Sequence, residues 1–136
     1  MFDRNDVIAS VRSSLQHLGY VIEDRSVHGA DIVARLNDAR VCVVVTGETT
    51  SKKTAREGEA FRPDQVRDHV ANAVYKALKL NEAKGEGGVV ALAFPRNADH
   101  EGRVAPIALS FLKLGIGLIW INADGTVDTS AAPLPK

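Results

Sequence analysis

The sequence predicts a single α/β domain, a mixed central sheet flanked by helices, in the order α-β-β-β-α-β-α-β. Three observations carry that prediction. Residues 30–36 and 40–48 are apolar runs separated by the polar turn Asn37-Asp38-Ala39, the pattern of two paired strands. Residues 89–94 and 116–121 are short, continuous apolar runs, as expected of strands covered on both faces. The stretches before and between these runs repeat apolar residues at helical spacing, so helices link strands and pack on the sheet.

The first helix is read over residues 4–18, where Val7, Ile8, Val11, Leu15 and Leu18 form one stripe. Asp3 or Asn5 can cap its start, and Gly19 suits the left-handed residue just past its end. Tyr20-Val21-Ile22-Glu23 is a short strand, followed by a polar link through His28-Gly29 to the paired strands. After Glu48 comes a loop of Thr, Ser, Lys and Arg without apolar period, running to Arg62. A loop this long in a compact domain is more often functional than not.

Pro63 opens the next helix, proline being suited to the first helical position. Val66, Val70, Ala73, Val74, Ala77 and Leu78 are its expected buried face, and Gln65, His69, Asn72 and Lys76 make a polar stripe that flanks it. Gly85-Glu86-Gly87-Gly88 breaks the chain before the 89–94 strand, which Pro95 ends. Val104, Ile107, Ala108, Phe111 and Leu112 mark a third helix, stopped by Gly115, and Asp124-Gly125 turns the chain after the last buried strand. The domain is taken as residues 1–128, with 129–136, containing Pro133 and Pro135, as a C-terminal tail.

Composition bounds the function. At 136 residues, 45% hydrophobic and 25% charged, the chain is long enough for one real core. Lys plus Arg balance Asp plus Glu at 17 each, so no global basic field points to nucleic acid and any such binding needs a local patch. Cys42 is the sole cysteine, which excludes an intrachain disulfide and a cysteine zinc site and reads as a small buried hydrophobe. No apolar run approaches the ~20 residues of a membrane helix, and the N-terminus lacks a signal-peptide pattern, so no membrane association and a cytoplasmic location are expected.

Two short motifs carry a resemblance. Gly29-Ala30-Asp31-Ile32-Val33 places an acid at the start of the second strand, and Val43-Val44-Val45-Thr46-Gly47 lies in the third. With the order helix, three strands, helix, strand, they resemble the restriction-endonuclease-like superfamily, the PD-(D/E)xK nucleases. In that family the third strand carries Glu-x-Lys. The resemblance implies a nuclease-like fold over about residues 4–94, with Asp31 as the metal-binding acid. It also implies that Val44 stands where the second carboxylate belongs and Thr46 where the lysine belongs. Mg²⁺ wants several hard oxygen ligands, and the lysine would stabilise charge on the phosphate. Valine and threonine supply neither, so the expectation is a degenerate active site.

A displaced site is the alternative. Strand alternation puts Glu48 on the side of Val44 and Thr46, so Asp31 and Glu48 would hold Mg²⁺ or Mn²⁺. Gln65 is similar to a glutamine that some members carry early in the following helix, and Lys76 could supply the missing cation. Each has a plainer reading: Glu48 a solvated strand end, Gln65 a first-turn polar residue, Lys76 a surface lysine, Asp31 a cap after Gly29. His28 and His69 lack the spacing of metal ligands, and His17 and His100 give weaker signals still. Gly47 to Thr54 approaches the phosphate-loop pattern, but Lys52 replaces its second glycine and Gly58 interrupts the helix that should follow. Lys52, Lys53, Arg56 and Arg62 nevertheless set cations beside hydroxyls in the 48–62 loop, a composition suited to DNA or RNA phosphates. The expected function is therefore nucleic-acid binding without efficient catalysis. A divergent Mg²⁺-dependent nuclease and a protein-interaction scaffold are the alternatives, with a protein partner or a second copy of the chain left open.

Overall fold

The computed structural model describes residues 2–23, 29–48, 62–85 and 87–134. Its elements are α1 (Arg4–His17), β1 (Val21–Glu23), β2 (Ile32–Leu36), β3 (Ala39–Val45), α2 (Pro63–Ala83), β4 (Gly88–Pro95), α3 (Ala98–Val104), a 3₁₀ turn (Ala105–Ile107), α4 (Ala108–Leu114), β5 (Gly117–Ile121) and β6 (Val127–Ala131). The six strands form one sheet in chain order, β1-β2-β3-β4-β5-β6. The first three are antiparallel, β3, β4 and β5 run parallel, and β6 returns antiparallel. This is a single α/β domain with a mixed sheet, and its elements from α1 to β4 run in the order α-β-β-β-α-β.

Alternation along the strands sorts the core into two layers. Val41, Val43, Val45, Ala91, Ala93, Ile119 and Ile121 face α1, whose Val7, Val11 and Leu15 close that side. Cys42, Val44, Val90, Leu92 and Phe94 face the opposite side, against Val66, Val70, Ala73, Ala77 and Leu80 of α2 and Val104 and Phe111 beyond it. The central strands thus need apolar residues at successive positions, which is why they read as unbroken valine-rich runs. Asp3 caps α1: its Oδ1 accepts the Asp6 N–H at 2.8 Å, and Asp6 Oδ2 accepts the Asp3 N–H at 3.0 Å. Among the described residues no helix is long and apolar enough to cross a membrane.

Three expectations are corrected. The third helix is broken into α3 and α4 by a 3₁₀ turn at Pro106, which has no N–H to donate and crowds the preceding turn. Residues 129–131 are not tail but part of β6, which pairs with β5, and Leu134 packs against the α1 layer. On α2 the fifth buried position is Leu80, while Leu78 is 39% exposed and Val74 only half-buried. The helix is rotated about its axis relative to the apolar stripe, because the sheet beneath α2 selects the 66/70/73/77/80 face.

Candidate functional site

Of the residues singled out by the sequence, Asp31 and Glu48 lie by the C-terminal end of β3. Asp31 lies one residue before β2, just after Gly29, whose φ of 83° is a conformation glycine adopts without a Cβ clash. Its N–H donates to Val43 O at 2.8 Å, and its carboxylate Oδ2 accepts the Val45 N–H at 2.7 Å. The side chain thereby extends the β2–β3 ladder past the end of β2, supplying the acceptor that β3 would otherwise lack. Its other oxygen, Oδ1, is held by the Arg4 guanidinium. The pair is asymmetric: the Asp31 side chain is 7% exposed and that of Arg4 55%.

Glu48 is held as fully, by other partners. Its Oε1 accepts the Phe2 N–H at 2.8 Å, and its own N–H donates to Phe2 O at 2.8 Å. Its Oε2 accepts Asn97 Nδ2 at 2.8 Å. That orients the Asn97 amide, whose Oδ1 accepts both the His100 N–H and His100 Nδ1–H at 2.9 Å each. Asn97 is also the N-cap of α3. His100 is therefore the Nδ1–H tautomer, with its Nε2 lone pair directed into the protein. It is wholly buried, close to Phe94, and its Nε2 has no hydrogen-bond partner among the described residues. Burial pushes its pKa down to about 4, against the opposing pull of the Glu48 and Asp99 carboxylates; His69 pushes it further down. At neutral pH it is an uncharged imidazole.

Between the two acids sits the start of α1. A Cβ on Gly47 would collide with the backbone N of Arg4 and lie 2.6 Å from Asp3 C and 2.9 Å from Arg4 Cα. Glycine is required here by close approach of two backbones. Phe2 bonded to Glu48, Asp3 and Arg4 against Gly47, and Arg4 on Asp31 place three consecutive residues across the end of β3. Thr46, where the resemblance expects a lysine, is 5% exposed; its N–H donates to Ala93 O and its Oγ1 has no hydrogen-bond partner among the described residues. Val44 is buried in the α2 layer.

The displaced-site residues are not gathered by this arrangement. All four carboxylate oxygens of Asp31 and Glu48 are engaged by protein donors, and among the described residues no three His, Cys, Asp or Glu side chains group to hold a metal ion. The described residues around Asp31 do not supply the several-oxygen shell that Mg²⁺ or Mn²⁺ requires. Gln65 is half-buried in the first turn of α2, where its Oε1 accepts the Arg62 N–H at 2.8 Å. Lys76 is exposed on α2, thirteen residues or about 20 Å of helix beyond Pro63. Arg62 is exposed and pairs with Asp64 at 3.3 Å. Lys52, Lys53 and Arg56, like His28, lie outside the described residues.

Sequence reasoning missed Phe2, Arg4 and Asn97 and gave His100 little weight. Asn97 followed by Asp99 and Glu101 is an N-cap with acids in the first turn, a signal that would have started the third helix six residues earlier. Arg4 gave none, because its partner lies 27 residues away in sequence. A separate cavity of about 270 Å³, lined by Arg35, Arg40, Cys42 and Leu80 among others, lies at the other end of β3 and takes no part in this site.

No protein-family model matches the chain, and no match was found among curated proteins. One solved structure, SfsA of Pyrococcus furiosus in complex with Ca²⁺, is similar at 16% identity with a TM-score of 0.47. The match covers 90% of this chain and 58% of that one, so the chain spans well under two thirds of the length of SfsA.

Proposed function

We propose that this chain is a nuclease-like domain whose catalytic position has been converted to structural use, and that it binds nucleic acid without cleaving it efficiently. The observation that carries the first half is the seating of Phe2, Asp3 and Arg4 on Gly47, with Arg4 and Phe2 occupying oxygens of Asp31 and Glu48. Val44 and Thr46 complete it by offering no carboxylate and no amine on the same strand. The second half rests on the chemistry of the 48–62 loop, where Lys52, Lys53, Arg56 and Arg62 stand among hydroxyl side chains.

The test is binding of labelled single- and double-stranded DNA and RNA by fluorescence anisotropy over a range of salt. The expected result is an affinity that falls linearly on a log–log plot, with Lys52→Ala and Lys53→Ala each reducing the slope by roughly 1. Incubation of the same substrates with Mg²⁺ or Mn²⁺ leaves them intact. Cleavage that Asp31→Ala and Glu48→Ala abolish would replace this reading with the divergent nuclease. Absence of binding at low salt would leave a protein-interaction role, which the exposed apolar side chains of α2 and α4 favour.

A further inference from the structure

The rotation of α2 leaves an apolar stripe facing solvent. Ala71, Val74, Tyr75 and Leu78 lie on it, with Arg67 at one end and Glu82 at the other, all within about 100° of helix surface. Tyr75 is 64% exposed. A groove of about 360 Å³ runs beside the stripe, between α2 and the α3–3₁₀ segment; Arg103 and Ile107 form its far wall. Lining of this kind, apolar apart from Arg67 and Arg103, is the form of a surface that another helix covers.

We infer that the occupant is α2 of a second copy, packed antiparallel about a two-fold axis passing beside Val74 and Tyr75. The order of residues along the stripe supplies the argument. With the axis there, Val74 faces the partner's Tyr75, Ala71 faces the partner's Leu78, and Arg67 faces the partner's Glu82. Large side chains meet small or medium ones at each apolar step. The charges are complementary under the same operation. Glu82 of each copy arrives at the partner's Arg67, one of the two arginines that line the groove. A two-fold interface duplicates every contact, so two such clusters flank one apolar centre. Arg67 now pairs with its neighbour Asp68 at 3.2 Å, an exposed pair that is cheaply exchanged for the partner's carboxylate.

Sedimentation velocity and light scattering over a concentration series test this on the full chain. The expected mass is twice that of the chain, falling toward one copy on dilution. Tyr75→Asp, at a position too exposed to be needed for folding, gives monomer at every concentration. Arg67→Glu and Glu82→Arg each weaken the dimer by about tenfold or more, and the combined Arg67→Glu/Glu82→Arg variant regains at least most of the loss. Circular dichroism checks that each variant is folded. A wild-type chain that stays monomeric at the highest concentration reached would overturn the inference. So would a dimer indifferent to Tyr75→Asp, or single charge reversals that the double reversal does not rescue.

Discussion

Replacing Asp31 with alanine separates a structural acid from a catalytic one. In this structure the carboxylate does two things: it accepts the Val45 N–H at 2.7 Å and neutralises part of the Arg4 charge. Removing it leaves the Val45 N–H without its acceptor where Asp31 is 7% exposed, a loss of about 1–3 kcal/mol for an orphaned buried donor. The Arg4 interaction adds less, about 0–1 kcal/mol, because the guanidinium is more than half exposed and water takes over its solvation. The expected destabilisation is therefore roughly 2–3 kcal/mol, seen as a lower urea midpoint with an unchanged slope. At roughly 3 °C per kcal/mol for a chain of this length, the thermal midpoint falls by about 6–9 °C. Asp31→Asn keeps an oxygen for the Val45 N–H and loses only the charge, so it recovers about half or more of the deficit. A metal-binding acid in a metal-free protein behaves in the opposite way, since its removal relieves an uncompensated charge. Asp31→Ala as stable as the parent, or more so, would refute the structural assignment of this residue.

Other substitutions probe the same framework. Gly47→Ala forces a methyl into the Asp3–Arg4 backbone and is expected to cost about 2–3 kcal/mol by overpacking, whereas Gly102→Ala, with nothing within 4 Å, is neutral or slightly stabilising by helix propensity; paired urea titrations measure the difference. His100 has a folded pKa near 4 against about 6.5 unfolded, so the unfolded chain binds the extra proton between those values. Stability is full above about pH 6.5 and falls by up to roughly 3 kcal/mol as pH drops toward 4; His100→Gln flattens the pH 5–6.5 part of that curve. Leu80→Ala, at 3% exposure, costs about 2–4 kcal/mol, while Leu78→Ala, at 39%, costs about 1 or less. Equal costs in a denaturation comparison would mean that α2 is not rotated as described.

The sequence alone determined the order of elements from α1 to β4 and the presence of β5, but not β6 or the break between α3 and α4. Valine-rich runs, a polar turn and helical apolar spacing are local signals, each set by the few residues around it, and that is why strands β2 to β5 and helices α1 and α2 were legible. Pro106 was equally local, yet the apolar spacing on either side of it masked the break. What only the tertiary structure decided is where each side chain is used. Whether Asp31 holds a metal or caps a strand depends on Arg4 and Val45, brought to it by folding. Whether Leu78 or Leu80 is buried depends on the rotation of α2, which the sheet beneath it sets and the helix's own apolar pattern leaves open over two adjacent faces. The same rotation exposes the stripe from Arg67 to Glu82. Charges and hydrogen bonds act over a few ångströms in space, and those neighbours are tens of residues apart along the chain.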